Sequence, residues 1–318
     1  MNKNIIIITA YNKPDLLYLY LEQIYSNDFI DNYIIQIHTE EGYLSDQDLV
    51  INFFKNKNPN VTIQRFIKQK NPNHQLVGFY NILSSYLIAA NTANYLNSSY
   101  VIIGEEDMIP TKDYLRFNDY IYNHYLSKYP RIIGAAHKRR PEVELDGDAE
   151  LLIGDYQCTS LSVISVEAIN KYLAPFLHQE FLYEYPIEFY KKNFPNSRIS
   201  LNEVVHHDGC IERIIDLYKL FVLKPDQARS IHVGLSGIYC KGNPPQGNLY
   251  ERIEQWRELI KDGDKIRALS TNPGDIVVTD LEGPKWEKLE LDYERNKARA
   301  SSWWYDRNNE FKKYITNE

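Results

Sequence analysis

Cysteine is scarce in this 318-residue chain: Cys158, Cys210 and Cys240 are odd in number, far apart and in no Cys-x-x-Cys spacing. They read as free thiols and point to a reducing compartment. Long apolar runs are missing too. The amino terminus offers only Ile5 to Ile8 where a signal peptide needs a longer apolar core, and nothing reaches the length of a membrane span. A soluble, cytoplasmic protein is expected. Positive charge is in deficit, with 36 Lys and Arg against 43 Asp and Glu and a formal net charge of −7. That balance argues against tight, non-specific binding of nucleic acid, which needs a basic footprint. The local triplet Lys138-Arg139-Arg140 is most simply a solvated loop. Finally, there is no Gly-x-Gly-x-x-Gly and no Walker A sequence, so neither a dinucleotide fold nor a P-loop is supported. Repeats, low-complexity tracts and interdomain linkers are also absent.

What is present is ordinary in bulk, with 43% hydrophobic and 25% charged residues, and the length allows a large core. The 26 tyrosines stand out. Many fall in helical stretches, as at Tyr18, Tyr20 and Tyr25, where packing at the edge of a core is their simplest use.

One stretch organises the rest, Tyr100-Val101-Ile102-Ile103-Gly104-Glu105-Glu106-Asp107-Met108-Ile109-Pro110. A short apolar, β-branched run bounded by turn signals predicts a central strand covered on both faces. It runs straight into three carboxylates, whose mutual repulsion calls for a cation or hydrogen-bond donors. In an open α/β sheet, the carboxyl ends of the strands are also where ligands bind. Glu105, Glu106 and Asp107 therefore read as a site for a hard divalent cation, Mg²⁺ or Mn²⁺. The plainer alternative is a solvated acidic turn before a helix running from Thr111 to about Ser127.

Asn4 to Ala10 is a second buried strand. Tyr11-Asn12-Lys13-Pro14-Asp15 then marks a helix start, with Pro near the first position and an acid in the first turn. Free backbone N–H groups at such a turn favour an anion, and Lys13 is the nearest cation for a phosphate, or simply an exposed lysine. A strand over Tyr33–His38, a helix from Ser45 to about Lys55, a strand over Asn60–Phe66 and a helix from His74 to about Asn94 complete a β-α-β-α-β-α-β run. The expected fold class is α/β, a mostly parallel sheet with helices on both faces.

The second half is less regular. Strands are expected at Arg131–Ala136 and Cys158–Ser165, with an exposed loop over His137–Glu150 between them. Helices are expected at Val166–Leu173, Tyr183–Phe194 and Gly209–Leu220. The stretch Gly237 to Gly247, rich in Gly and Pro, is a candidate lid. Beyond Leu249 come a charged helix, a strand-like Asp275–Thr279 and a Trp303-Trp304 tail. The expected division is a domain over 1–248 and an extension over 249–318.

In this order the pieces resemble glycosyltransferases of the GT-A fold, closest in layout to the N-acetylglucosaminyltransferase I type. Three places carry the likeness: Ile5 to Pro14; Phe79-Tyr80-Asn81 through Val101 to Tyr114; and Lys224-Pro225-Asp226-Gln227-Ala228-Arg229-Ser230-Ile231-His232-Val233-Gly234. The resemblance implies a nucleotide-diphospho-sugar donor, most simply a UDP-sugar. It implies Asp107 as metal ligand, with Glu105 and Glu106 toward nucleoside and sugar. Ala10, Tyr11 and Lys13 would form the nucleotide-binding turn, His38 and Glu40 would lie near the base, Arg229 would stabilise phosphate charge with Lys13, and His232 would lie at the donor site. Asp208 would be the catalytic base, inverting the anomeric centre by taking the proton of an acceptor hydroxyl. The rival reading of Asp208 is a helix N-cap, and His206, His207 and His232 are alternative metal ligands. The family's tryptophan-rich acceptor segments are not seen here, so the acceptor stays open among glycan, lipid, protein and modified nucleic acid. Two other classes stay open as well: a non-catalytic nucleotide-binding protein of the same fold, and a sugar nucleotidyltransferase, whose glycine- and Lys/Arg-rich first loop is missing.

Overall fold

Four successive isoleucines open the sheet, and their alternation divides the interior. In β1 (Asn4–Ala10), Ile6 and Ile8 face one core layer and Ile5 and Ile7 the other, all fully buried. The computed structural model describes residues 3–41, 44–68, 77–137, 150–154, 161–176, 207–225, 227–235, 242–270, 281–283, 290–291 and 309–315. Its further strands are β2 (Tyr33–Glu40), β3 (Thr62–Lys68), β4 (Tyr100–Glu105), β5 (Met108–Pro110), β6 (Ile132–Ala136), β7 (Glu150–Gly154), β8 (Leu161–Ser165), β9 (Phe221–Pro225), β10 (Ser230–His232) and β11 (Glu290–Leu291). Its helices are α1 (Pro14–Ser26), α2 (Leu44–Lys57), α3 (Val77–Leu96), α4 (Tyr114–Ile121), α5 (Val166–Ala168), α6 (His207–Tyr218), α7 (Leu249–Lys261), α8 (Gly263–Leu269) and α9 over 309–315.

Nine strands form one sheet in the order β11-β7-β9-β6-β8-β4-β1-β2-β3. Five of its eight pairings are parallel and three antiparallel, so the α/β, mostly parallel reading holds. The antiparallel pairings fall in the less regular half: β8 runs against both β4 and β6, and β7 against β9. Helices α1, α2, α4 and α7 cover the Ile6 face, contributing Leu17, Phe54, Phe117 and Trp256. Helices α3 and α6 cover the Ile5 face, with Leu83, Tyr86, Ile211 and Ile214. Among the described residues no helix is long and apolar enough to cross a membrane.

Three expectations need correction. Glu150, placed in a loop, begins strand β7. Met108-Ile109-Pro110, read as the lead into a helix, is strand β5, paired antiparallel with β10. Helix α4 begins at Tyr114 rather than Thr111, ends at Ile121 and passes into one π-helical turn, Tyr122–Leu126. Asp113 does not cap α4 with its side chain. That task falls to Asn27, at the end of α1, whose Oδ1 accepts the Leu115 N–H at 2.9 Å while its amide donates to the Thr111 carbonyl at 3.0 Å. The expected Tyr183–Phe194 helix, the Asp275–Thr279 strand, the Trp303-Trp304 tail, the Lys138-Arg139-Arg140 triplet, Cys158, Cys240 and the first five residues of Gly237–Gly247 lie outside the described residues.

Close packing prepares the acidic turn. A Cβ on Gly104, just before the first acid, would lie 2.2 Å from Tyr20 Oη, so only glycine lets α1 settle this close to β4. On the same face of the sheet but toward its other margin, α9 docks Phe311 against Phe221 at 4.8 Å between ring centres. Glu310 of α9 pairs with Arg131 at 2.5 Å.

Candidate functional site

The chain runs from β1 to β2 and β3 on one side, then returns to place β4 on the other side of β1. The crevice beyond the carboxyl ends of β1 and β4 is therefore a topological switch point, the usual place for a ligand in an open α/β sheet. Two turns meet there, residues 11–13 after β1 and Glu106-Asp107 after β4.

The three acids have separate surroundings, which is how the fold tolerates them. Glu105 still belongs to β4, level with Thr9 of β1. Glu106 is 4% exposed, and its Oε1 accepts the backbone N–H groups of Tyr11 at 3.0 Å and Asn12 at 3.2 Å. Its own N–H donates to the Thr9 carbonyl at 3.0 Å. Its second carboxylate oxygen, Oε2, is buried without a hydrogen-bond partner. Burial pushes the Glu106 carboxyl up to about 7, against the opposing pull of Lys13 and the two N–H donors. Two of the turn's N–H groups, expected to await an anion, are thus taken by the chain's own carboxylate. Glu106 is a strut between the two turns.

Asp107 faces the crevice differently. Its Oδ2 pairs with Lys13 Nζ at 2.6 Å, and its Oδ1 lies 4.0 Å from His232 Nε2. The β5–β10 ribbon sets this geometry: His232 is in register with Met108, and the Val233 N–H donates to the Asp107 carbonyl at 2.9 Å. The sequence segments around Asp107 and His232 are thus brought together as expected. Among the described residues no three His, Cys, Asp or Glu side chains form a metal cluster. One carboxylate with an imidazole beside it nevertheless suits a hard cation that keeps most positions for a ligand's own oxygens.

Residues not singled out in the sequence hold the β1–α1 turn in place. Asp15, in the first turn of α1 and 7% exposed, accepts the Trp256 indole N–H at 2.8 Å and lies 3.3 Å from Arg252 Nε. Arg252 also donates to the Gly247 carbonyl at 3.0 Å. Gln47 of α2 donates to the Tyr11 carbonyl at 2.9 Å and accepts from Arg65 at 3.3 Å. The only sequence signal for these was ordinary: an acid at a helix start and a tryptophan on an amphipathic helix.

Other expected donor residues are placed deeper. Ala10 ends β1 and Tyr11 begins the turn. His38 is fully buried on the α3 side of β2, against the Phe66 ring at 5.1 Å. Burial, and then the Lys68 ammonium, hold its imidazole down at about 3, so it is neutral. Glu40 is 2% exposed and in register with Lys68. Lys68 Nζ donates to the Asn81 carbonyl at 2.6 Å and Ser85 Oγ at 3.0 Å. Arg229 is fully buried, with its guanidinium over the Phe117 ring and 3.6 Å from Asp113. Its carbonyl accepts the Thr111 N–H at 3.0 Å. Burial lowers it to about 10, with Asp113 opposing.

Asp208 is the second residue of α6, so it lies inside the helix rather than at its N-cap. Helix α6 ends at Tyr218, just before β9 starts at Phe221. Strand β9 is parallel to β6, which runs in the same direction as β4. The N-terminus of α6, with His207 and Asp208, is therefore directed toward the same edge of the sheet as Asp107. The side chains of His207 and Asp208, and all of His206, lie outside those described.

No family model and no curated protein matches the sequence. Among solved structures, the chain is similar to the mannosyltransferase PcManGT from Pyrobaculum calidifontis in complex with GDP-Man and Mn²⁺, with 16% identity, a TM-score of 0.32 and coverage of 45% of this chain and 37% of that one. It is also similar to S. aureus TarS, with 10% identity, a TM-score of 0.39 and coverage of 54% and 30%. TarS residues 1–349 in complex with UDP give 10% identity, a TM-score of 0.41 and coverage of 72% and 59%. The chain spans well under half the length of the first two. Likenesses of this size carry no weight for its chemistry.

Proposed function

We propose that the chain is a GT-A-type glycosyltransferase, moving a sugar from a nucleotide-diphospho-sugar to an acceptor hydroxyl with inversion. The observation that carries this reading is the meeting of Lys13 and Asp107 at the switch point between β1 and β4. A cation and a carboxylate on two facing turns are what a diphosphate donor and its counter-ion need.

In this reading Lys13 stabilises negative charge on the departing nucleoside diphosphate. Asp107, with His232 beside it, would hold a Mg²⁺ or Mn²⁺ ion, which supplies further positive charge to the leaving group when bound. Glu106 fixes the two turns relative to one another, so that Lys13 and Asp107 present to the same ligand. Asp208, on the same edge of the sheet, takes the acceptor proton on the face opposite the leaving group. Residues 1–248 carry the chemistry, and 249–318 buttress the β1–α1 turn through Trp256 and Arg252. The donor is a UDP-sugar, and the protein works in the cytoplasm.

The test is thermal unfolding against UDP-, GDP- and CMP-sugars, with and without Mn²⁺, for the wild type and Asp107→Ala. A ligand that binds only the folded state adds about 2.7 kcal/mol at 100 times its dissociation constant. The expected result is stabilisation by one nucleotide class that depends on Mn²⁺ and disappears in Asp107→Ala. Failure of every donor to stabilise the wild type would overturn the reading.

A further inference from the structure

Lys13 and Asp107 are assigned to different parts of a bound donor, yet in the ligand-free chain they hold each other. Their ion pair spans the two turns at 2.6 Å, with side chains only 13% and 14% exposed. Water screens such a pair far less than it screens a bridge on the open surface. His232 approaches the other oxygen of Asp107 at 4.0 Å. Formal charges on the pair cancel. A divalent ion brought to Asp107 while Lys13 stays would face a like charge across a few ångströms, and Lys13 already neutralises the carboxylate the ion would use. A diphosphate brought alone would have Lys13 but would face the neighbouring carboxylates Glu105 and Asp107. Adding both brings the site back close to neutrality, because the diphosphate of a nucleotide-sugar carries two negative charges against the two positive charges of the ion, and a free nucleoside diphosphate carries up to one more.

We propose that Lys13 is a built-in counter-ion that keeps free divalent metal off Asp107 until a nucleoside diphosphate draws the ammonium away. Metal and diphosphate then enter as a coupled pair, and Lys13 sets that coupling in addition to binding phosphate. This rests on the transferase reading, and it concerns the order in which that site fills.

The test is a titration of the full-length chain with Mn²⁺, following free Mn²⁺ by electron paramagnetic resonance, with and without UDP or GDP. The wild type should bind Mn²⁺ alone weakly and about tenfold or more tightly once the matching nucleoside diphosphate is present. Lys13→Met should bind Mn²⁺ alone about tenfold more tightly than the wild type and lose most of the coupling. Lys13→Arg keeps the charge and should behave as the wild type does with Mn²⁺ alone. Asp107→Asn should bind no Mn²⁺ in either condition. Circular dichroism of each variant establishes that it is folded. Equal affinity of the wild type and Lys13→Met for Mn²⁺ alone would overturn the proposal while leaving the transferase reading intact. Failure of both nucleotides to alter Mn²⁺ binding by the wild type would overturn the transferase reading itself.

Discussion

The indole N–H of Trp256 donates to Asp15 Oδ2 at 2.8 Å, across a sequence separation of 241 residues. This bond links α7 to the first turn of α1, two residues beyond Lys13. Trp256→Phe keeps most of the apolar burial but leaves a buried carboxylate oxygen with one donor fewer. A loss of about 1–3 kcal/mol is expected, read from urea denaturation at neutral pH. The same variant should bind nucleotide more weakly, because the turn that carries Lys13 loses a support.

Asn27 both caps α4 and ties it to the end of α1. Asn27→Ala removes a cap and leaves the Leu115 N–H and the Thr111 carbonyl short of partners in a buried place. The expected cost is about 1–2 kcal/mol, seen as a lower midpoint in denaturant with an unchanged slope.

Gly104 has no room for a methyl group, since its Cβ would lie 2.2 Å from the hydroxyl of the fully packed Tyr20. Gly104→Ala should therefore destabilise by about 1–3 kcal/mol through overpacking. Because the misfit sits at the mouth of the crevice, the change should also weaken nucleotide-dependent binding of Mn²⁺. The paired variant Tyr20→Phe, which removes the nearest atom, should recover part of the stability.

His38 gives the chain an acid-side weakness. Its folded-state value of about 3 lies below its ordinary 6.5. The unfolded chain thus binds a proton that the folded chain refuses. The stability linked to this group is fully present above pH 6.5 and is lost as pH falls toward 3. At pH 4.5 the loss is about 2–3 kcal/mol relative to neutral pH. Denaturation of the wild type and His38→Phe at both pH values checks this: the wild type should lose more between them. Lys68, held down at about 7 by burial with Glu40 opposing, acts in a separate window. Its contribution rises from about pH 7 to the ordinary lysine range, so it leaves the acid comparison undisturbed.

How far these features could be read in advance follows from how local they are. The first four strands of the sheet were legible because apolar, β-branched runs and helix-start signals act within a few residues. The acids after Ile103 were legible as a turn at a strand end for the same reason. Strands β5 and β10, of three residues each, were not, because so short a piece carries no period and is held by its partner alone. Glu106, expected toward the ligand, instead satisfies two N–H groups 94 and 95 residues earlier in the chain. The sequence around Arg229 suggests a phosphate ligand, and its guanidinium lies by Asp113 and Phe117. Long-range pairings of single polar side chains leave no pattern in a sequence. They decide which of several charged residues face a crevice and which brace its walls.

The place of β8 bears on how the chain is made. It lies between β4 and β6, yet it follows both in the chain. During synthesis β1, β2, β3 and β4 can join as soon as residue 105 has left the ribosome. Among the described strands, β6, complete at residue 136, has no neighbour to join until β8 is finished at residue 165. Its other partner, β9, ends only at residue 225. The nascent protein thus carries a nearly finished half sheet with β4 as an open margin, and the segment that closes this margin also docks the later half. Conditions that slow the ribosome between these points would lengthen the exposure of that margin, which is the interval in which a chaperone would have most to do.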